Sequence, residues 1–422
     1  MKKIMILAAA AALTLASCAK VETIQNTREE NVVSFGVYAG NSAITKVNNT
    51  FGDINLDALK ASTDGFGVFA YYTMNTAWAS AKTTATPNFM YNQQVKYNGS
   101  ADETLYPAKW EYSPLKYWPN GQNSTEYEAN ATSADMISFF AYAPQIATAS
   151  LGTVPATNEG IIDLSDNDDV NAPTVTFTVP TAADKQIDLL YSSVTDQTKK
   201  ALNGKVNFTF HHALAKLNYQ VQAVVDAAAP TTSNLTDDHD ATLEEGETWI
   251  VLQSLVVRAA GVKSGTLNLE TGNWTMADPA VDSEITYDAD AFNFGKDTGS
   301  AWSASNTITV TADSKEGFKA EETARDLNSK ISPMIIPANI AAGDLEVVAN
   351  YWVITKDSAL DGTYSTIQNV ISATNASAIN FQKGYKYTIV VRLGLNSVDF
   401  DVTAVDNWTD AAGTPVDLPL NS

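Results

Sequence analysis

The sequence predicts an all-β protein built from antiparallel β-sandwiches. Three observations predict it: apolar residues recur with period two, threonines are interleaved with them, and short glycine-containing turn signals separate the runs. Val175, Phe177 and Val179 alternate with threonines, and Val206, Phe208 and Phe210 alternate with polar neighbours. Leu217, Tyr219 and Val221 repeat the pattern, as do Ile308 with Val310, and Leu345, Val347, Ala349, Tyr351 and Val353. Further on come Ile389, Val391, Leu393 and Leu395, then Val398, Phe400 and Val402. Successive side chains of an extended chain point to opposite faces, so each set lines one face of a half-buried strand. Asn98-Gly99, Asn120-Gly121, Asn203-Gly204, Thr271-Gly272 and Asp361-Gly362 supply the turns. No long stretch carries the period of an amphipathic helix.

The N-terminus reads as an export signal. Lys2 and Lys3 precede an apolar run, Ile4 to Ala16, that is too short to span a bilayer. The run ends in Leu15-Ala16-Ser17-Cys18, the small-residue pattern that precedes a lipid-modified cysteine. Cys18 is the sole cysteine of the chain, so a disulfide within it is excluded, as is a site built from several thiolates. Acyl chains on Cys18 would anchor the mature chain, each buried CH₂ contributing about 0.8 kcal/mol.

Acidic residues outnumber basic ones by 48 to 26, giving a formal charge of −22. Such a surface repels nucleic acid and anionic membrane and favours solubility outside the cell, without naming a partner. The best internal boundary falls just after Phe210 and leaves segments of about 180 and 210 residues, each enough for one elaborated sandwich. The acidic stretch from Pro230 to Glu247 reads as a long loop in the second segment.

Signals for chemistry are weak. His211 and His212 are adjacent, and in a strand they face opposite sides and cannot readily share one metal, which leaves His212 a structural role. His239 lies among Asp237, Asp238 and Asp240 in what reads as a solvated acidic loop. Asp163 to Asp169 could offer oxygens to Ca²⁺, but the EF-hand spacing and its glycine are missing. No hydrolase, zinc-protease, P-loop or dinucleotide motif occurs, and no carboxylate spacing singles out an acid–base pair. The reading is therefore of a non-enzyme with no catalytic residues, no metal and no cofactor. The eight tryptophans could include a sugar platform, though Trp110 and Trp118 read as core.

Trp110-Glu111-Tyr112-Ser113-Pro114 runs into Lys116-Tyr117-Trp118-Pro119, and Ile137-Ser138-Phe139-Phe140-Ala141-Tyr142-Ala143-Pro144 follows. Asp188-Leu189-Leu190-Tyr191 comes next, then Phe210-His211-His212-Ala213-Leu214-Ala215-Lys216-Leu217. Met334-Ile335-Ile336-Pro337 and Phe381-Gln382-Lys383-Gly384-Tyr385-Lys386-Tyr387-Thr388 stand in the second half. These phrases, in this order, resemble those of the fimbrillin family, subunits of Bacteroidales type V pili. The resemblance implies a lipoprotein with two tandem transthyretin-like β-sandwich domains, a trypsin-like protease that removes its first strand, and a neighbouring subunit's C-terminal strand in the vacated groove. It implies location at the outer membrane and in a surface pilus, other pilin subunits as partners, and adhesion as a role.

In this scheme the strand to be displaced is Val32 to Ala39, with Val33, Phe35 and Val37 on one face. A cut must fall after it. Arg28 lies before the strand, Lys60 lies deeper in the folded part, and Lys46 follows the strand in a polar context, so Lys46 is the expected site and Arg28 the runner-up. The alternative is that Lys46 is an ordinary exposed lysine. The expected donor is the tail Pro415 to Ser422, where Val416, Leu418 and Leu420 alternate after a polar hinge, Thr409 to Thr414. Pro415 and Pro419 lack a donor N–H, so their nitrogens should face a side that needs no partner, or sit at a bulge. The alternative is that the tail closes its own sandwich. The expected organisation is a leader (1–17), a lipidated propeptide (18–46), an N-terminal sandwich (47–212), a C-terminal sandwich (213–408) and a donor tail (409–422). A second class of reading is a surface lipoprotein that does not polymerise, or a tip adhesin, binding a glycan or host ligand.

Overall fold

The computed structural model describes residues 32–39, 56–119, 135–148, 151, 159–182, 185–199, 205–223, 248–280, 282–288, 318–319, 325–326, 333–356 and 364–407. Among these, the helices are short, with α1 (Leu56–Ala61) and α2 (Trp78–Ala81) each of one or two turns, and strand predominates. The protein is all-β.

One sheet has seven strands in the order β1 (Ser34–Ala39), β9 (Lys205–His212), β8 (Leu190–Gln197), β5 (Met136–Ala143), β2 (Phe66–Met74), β3 (Met90–Tyr97) and β4 (Trp110–Glu111). Its pairs are antiparallel except the first, since β1 runs parallel to β9. Both faces of this sheet are covered, and β5 shows why its sequence does not alternate. Ile137, Phe139, Ala141 and Ala143 enter one core with β1, while Phe140 and Tyr142 enter a second, larger core. A strand buried on both faces reads as a continuous apolar run.

The larger core lies against a four-stranded sheet of β13 (Trp274–Met276), β12 (Ser264–Asn268), β7 (Thr174–Thr178) and β6 (Gly160–Leu164). Strands β12 and β7 pair antiparallel from Ser264↔Thr178 to Asn268↔Thr174, so a hairpin from the second half of the chain completes a sheet begun in the first. The alternation of β7 now has a cause on each face. Val175 and Phe177 are buried in the core with Leu267, while Thr176 Oγ1 lies 3.2 Å from Thr266 Oγ1 and Thr178 Oγ1 donates to Ser264 Oγ at 3.0 Å. The hairpin turns at Thr271-Gly272, where Gly272 has φ +66° and the Tyr191 ring occupies the space a Cβ would need. Only glycine meets both demands.

The remaining sheets form a second sandwich. One contains β16 (Arg325–Asp326), β10 (Ala215–Ala223), β22 (Tyr385–Leu393) and β23 (Val398–Asn407), with β17 (Met334–Ile335) also on β10. The other contains β14 (Ser283–Asp288), β11 (Thr248–Ala259), β19 (Leu345–Lys356) and β20 (Tyr364–Thr374), with β15 (Phe318–Lys319) also on β11. A short ladder joins β18 (Asn339–Ile340) to β21 (Ile379–Asn380). The chain passes from β9 to β10 through Ala213 and Leu214, both fully buried. Leu217, Tyr219 and Val221 of β10 and the alternating set Leu345 to Val353 of β19 point into the larger core, as their spacing predicts. Leu395 departs from its predicted alternation. Strand β22 ends at Leu393, Gly394 N–H donates to Ser397 O at 2.8 Å to close a turn, and Leu395 stays exposed.

Tyr351 ties the two sheets together. Its ring is fully buried and its hydroxyl donates to Gly394 O at 2.8 Å, across the sandwich from β19 to the β22–β23 turn. Removing the hydroxyl leaves a buried carbonyl without its donor, a loss of about 1–3 kcal/mol. Tyr351→Phe is therefore expected to lower the urea midpoint with little change in the slope of the transition.

Candidate functional site

Strand β1 is the feature of the fold that most demands a functional account. Val33, Phe35 and Val37 alternate with Ser34 and Gly36, and the three apolar side chains turn into the smaller core. Phe35 is 1% exposed and stands among four rings, with centroids at 5.4 Å from Tyr112, 5.6 Å from Phe208, 6.0 Å from Phe139 and 6.3 Å from Phe66. Burying each of the three side chains contributes about 1.5–3 kcal/mol. Yet among the described residues β1 is the terminal strand of its sheet, with its ladder to β9 running from Ser34↔Lys205 to Ala39↔Phe210.

Among the described residues its other side is held at one end. Val33 N–H donates to Lys116 O at 2.9 Å, and Val32 bridges Tyr117. Tyr112 Oη donates to Val33 O at 2.6 Å, and Tyr106 Oη donates to the Tyr112 carbonyl at 2.8 Å. Burial pushes both phenols above their ordinary range, most strongly at Tyr112, so each remains a protonated donor. The backbone groups of Val33 thus turn away from β9, and by the alternation of an extended strand those of Ser34, Gly36 and Tyr38 turn towards it.

The outward face of β1 carries Ser34, Gly36 and the exposed Tyr38, beside Lys205, Asn207 and Thr209 of β9. The ends of the Asn207 and Lys205 side chains lie over Gly36, with Lys205 Nζ 3.1 Å from where a Cβ would stand. A cleft of about 300 Å³ opens there, lined by Tyr38, Lys60, Tyr97, Lys109, Trp110 and Lys205 among others. Lys60 is paired with Asp57 at 3.8 Å and Lys109 with Glu103 at 3.0 Å.

Of the residues singled out by sequence, Val33, Phe35 and Val37 lie together in the core as described, whereas Cys18, Arg28, Lys46, Val416, Leu418 and Leu420 lie outside the described residues, as does His239. Lys60 stands on α1, within the folded part. Trp110 and Trp118 are each 2% exposed and pack on Phe66 and Phe139, so they are core residues. His212 Nδ1 lies 2.9 Å from Asp188 Oδ1, a carboxylate whose side chain is fully buried, while His211 packs beside Tyr191. Burial, then the nearby Lys383 and His212, push His211 below its ordinary value. In the Asp163–Asp169 stretch, Asp169 Oδ2 accepts from Asp166 N–H at 2.8 Å, and among the described residues no group of three or more His, Cys, Asp or Glu side chains is placed to hold a metal. The clamp formed by Tyr106 and Tyr112 was missed by sequence reasoning. Two buried tyrosines six residues apart, each needing an acceptor, were the available signal.

A model of the fimbrillin-like family matches residues 45–408, which excludes β1 and the C-terminal tail. The chain belongs to the fimbrillin-like family. It is 27% identical over 425 residues to fimbrium subunit Fim1C of Phocaeicola vulgatus, with 97% of each chain covered. Its fold is similar to the crystal structure of a fimbrial protein from Bacteroides vulgatus, with a TM-score of 0.62, 23% identity, and coverage of 90% of this chain and all of the other. In this fimbrillin-like chain the site centred on Phe35 offers packing and backbone hydrogen bonds.

Replacing Phe35 with alanine is expected to destabilise the full-length chain by about 3–5 kcal/mol, because the surrounding rings cannot close over the cavity. Tyr38→Ala, on the exposed face, should stay within about 0.5 kcal/mol. Denaturant unfolding of the two variants measures the difference.

Proposed function

We propose that this chain is a structural subunit of a cell-surface pilus, either shaft or accessory, closed by its own first strand until a protease removes it. The observation that supports this best is Phe35, a ring central to a core yet carried on an edge strand with one ladder. A strand so deeply buried and so little connected is suited to replacement by another strand of the same pattern. Cys18 then anchors the precursor in the outer membrane through lipid, a trypsin-like protease cuts after Lys46, and β1 is released with the propeptide. Val416, Leu418 and Leu420 of a neighbouring subunit take the places of Val33, Phe35 and Val37. The contact is head to tail, and where its rotation does not close a ring it repeats into an open filament.

The geometry of β1 alters one expectation about the tail. In a strand that runs parallel to β9, as β1 does, with three apolar side chains inward, the intervening residues direct their backbone groups at β9, so Pro419 would point its nitrogen at the ladder. One ladder bond is then missing, or the strand bulges there. Membership of the fimbrillin-like family and the overall likeness to Fim1C, called a fimbrium subunit, support the same reading.

The purified precursor, trimmed by trypsin, should form ladders on non-boiled gels. Lys46→Ala and deletion of Pro415 to Ser422 should each abolish them. A trimmed protein that keeps its tail and remains monomeric would overturn the proposal.

A further inference from the structure

Resting on that reading, we infer that Lys205 is a recognition residue for the incoming strand and that it takes Asp417 of the neighbouring subunit as its ionic partner. Lys205 is the ladder partner of Ser34, and its ammonium also reaches over Gly36, so it stands between the two outward positions of β1. Unlike Lys60 and Lys109 in the same cleft, it has no ion-pair partner among the described residues. In a chain of charge −22 an unpaired lysine at the mouth of a groove favours an acidic segment.

The tail meets that demand in either direction. Leu418 is the middle of its three apolar residues, as Phe35 is the middle of those in β1. A strand that seats Leu418 in the place of Phe35 sets Asp417 at the position of Ser34 if it runs parallel, or of Gly36 if it runs antiparallel. Both positions flank Lys205. Pro419 takes the other, where in the parallel direction it forfeits a ladder bond, so side-chain pairing on this face helps to fix the register that the ladder alone specifies less well. In β1 itself both places hold small uncharged residues, Ser34 and Gly36, so neither neutralises the lysine.

A charge swap tests the pair. With trypsin removed after trimming, a fluorescent peptide of residues 408–422 should bind the trimmed full-length chain at low salt about tenfold more weakly when the chain carries Lys205→Glu or the peptide carries Asp417→Lys, and combining the two should recover most of the affinity. A peptide with Asp410→Lys, in the polar hinge, should bind as wild type. Thermal unfolding of each precursor shows whether the variant folds, and Lys205→Gln, which removes the charge without reversing it, provides a milder variant with a smaller loss. Ladder growth of trimmed Lys205→Glu chains, slowed about tenfold, reads the same contact in filaments. Wild-type chains that never polymerise overturn the assembly reading. Equal affinities of the wild-type peptide for wild-type and Lys205→Glu chains, or a combined swap no tighter than either single variant, overturn the Lys205–Asp417 pair while leaving assembly itself standing.

Discussion

The smaller core is organised around the contact of Phe35 with Phe66, Phe139, Phe208 and Tyr112. Those rings come from β2, β5, β9 and the segment after β4, elements spread across the whole seven-stranded sheet. One side chain from an edge strand therefore joins β9 and the segment after β4 to β2 and β5, which pair directly with each other. Aromatic pairs at these distances contribute beyond their buried area, and the loss of one central ring removes several at once. The clamp of Tyr106 on Tyr112 and of Tyr112 on Val33 holds the strand so that the ring is correctly placed.

Burial on both faces of the seven-stranded sheet gives that core its rigidity. Phe140 and Tyr142 look into the larger core while their neighbours look into the smaller one, so β5 transmits the packing of either side. The hairpin β12–β13 closes the other side, and its turn is fitted to Tyr191 by the absence of a side chain at Gly272. Lys383 then donates to the carbonyls of Thr271 and Gly272 at 3.0 and 2.8 Å, which fastens the second sandwich to the same turn.

Much of this was legible in the sequence wherever burial is one-sided. Val206, Phe208 and Phe210 announced β9, and Leu345 to Val353 announced β19, because a half-buried strand writes its face directly into a period of two. The buried β5 has no such period and was legible only as part of a family phrase. The pairing of β7 with β12 lies about 90 residues apart in the chain, and period two identifies a face without naming the partner strand. Leu395 shows the converse, since alternation continued past the point where Gly394 and Ser397 had already turned the chain. At the candidate site the inward residues of β1 were readable. The tyrosine clamp and the neighbourhood of Lys205 depend on contacts between distant segments and were not.

The parallel pairing of β1 with β9 spans about 170 residues, so closing that loop is among the slower and entropically dearer steps of folding. The first described strand of the chain is consequently among the last to be seated. What allows it to win its place is attachment: a strand tethered to its own groove acts at an effective concentration on the millimolar scale, far above that of free chains nearby. Its hold on the core is thus partly a matter of connectivity. Severing a single peptide bond between β1 and α1 would leave every contact around Phe35 intact and still remove that advantage.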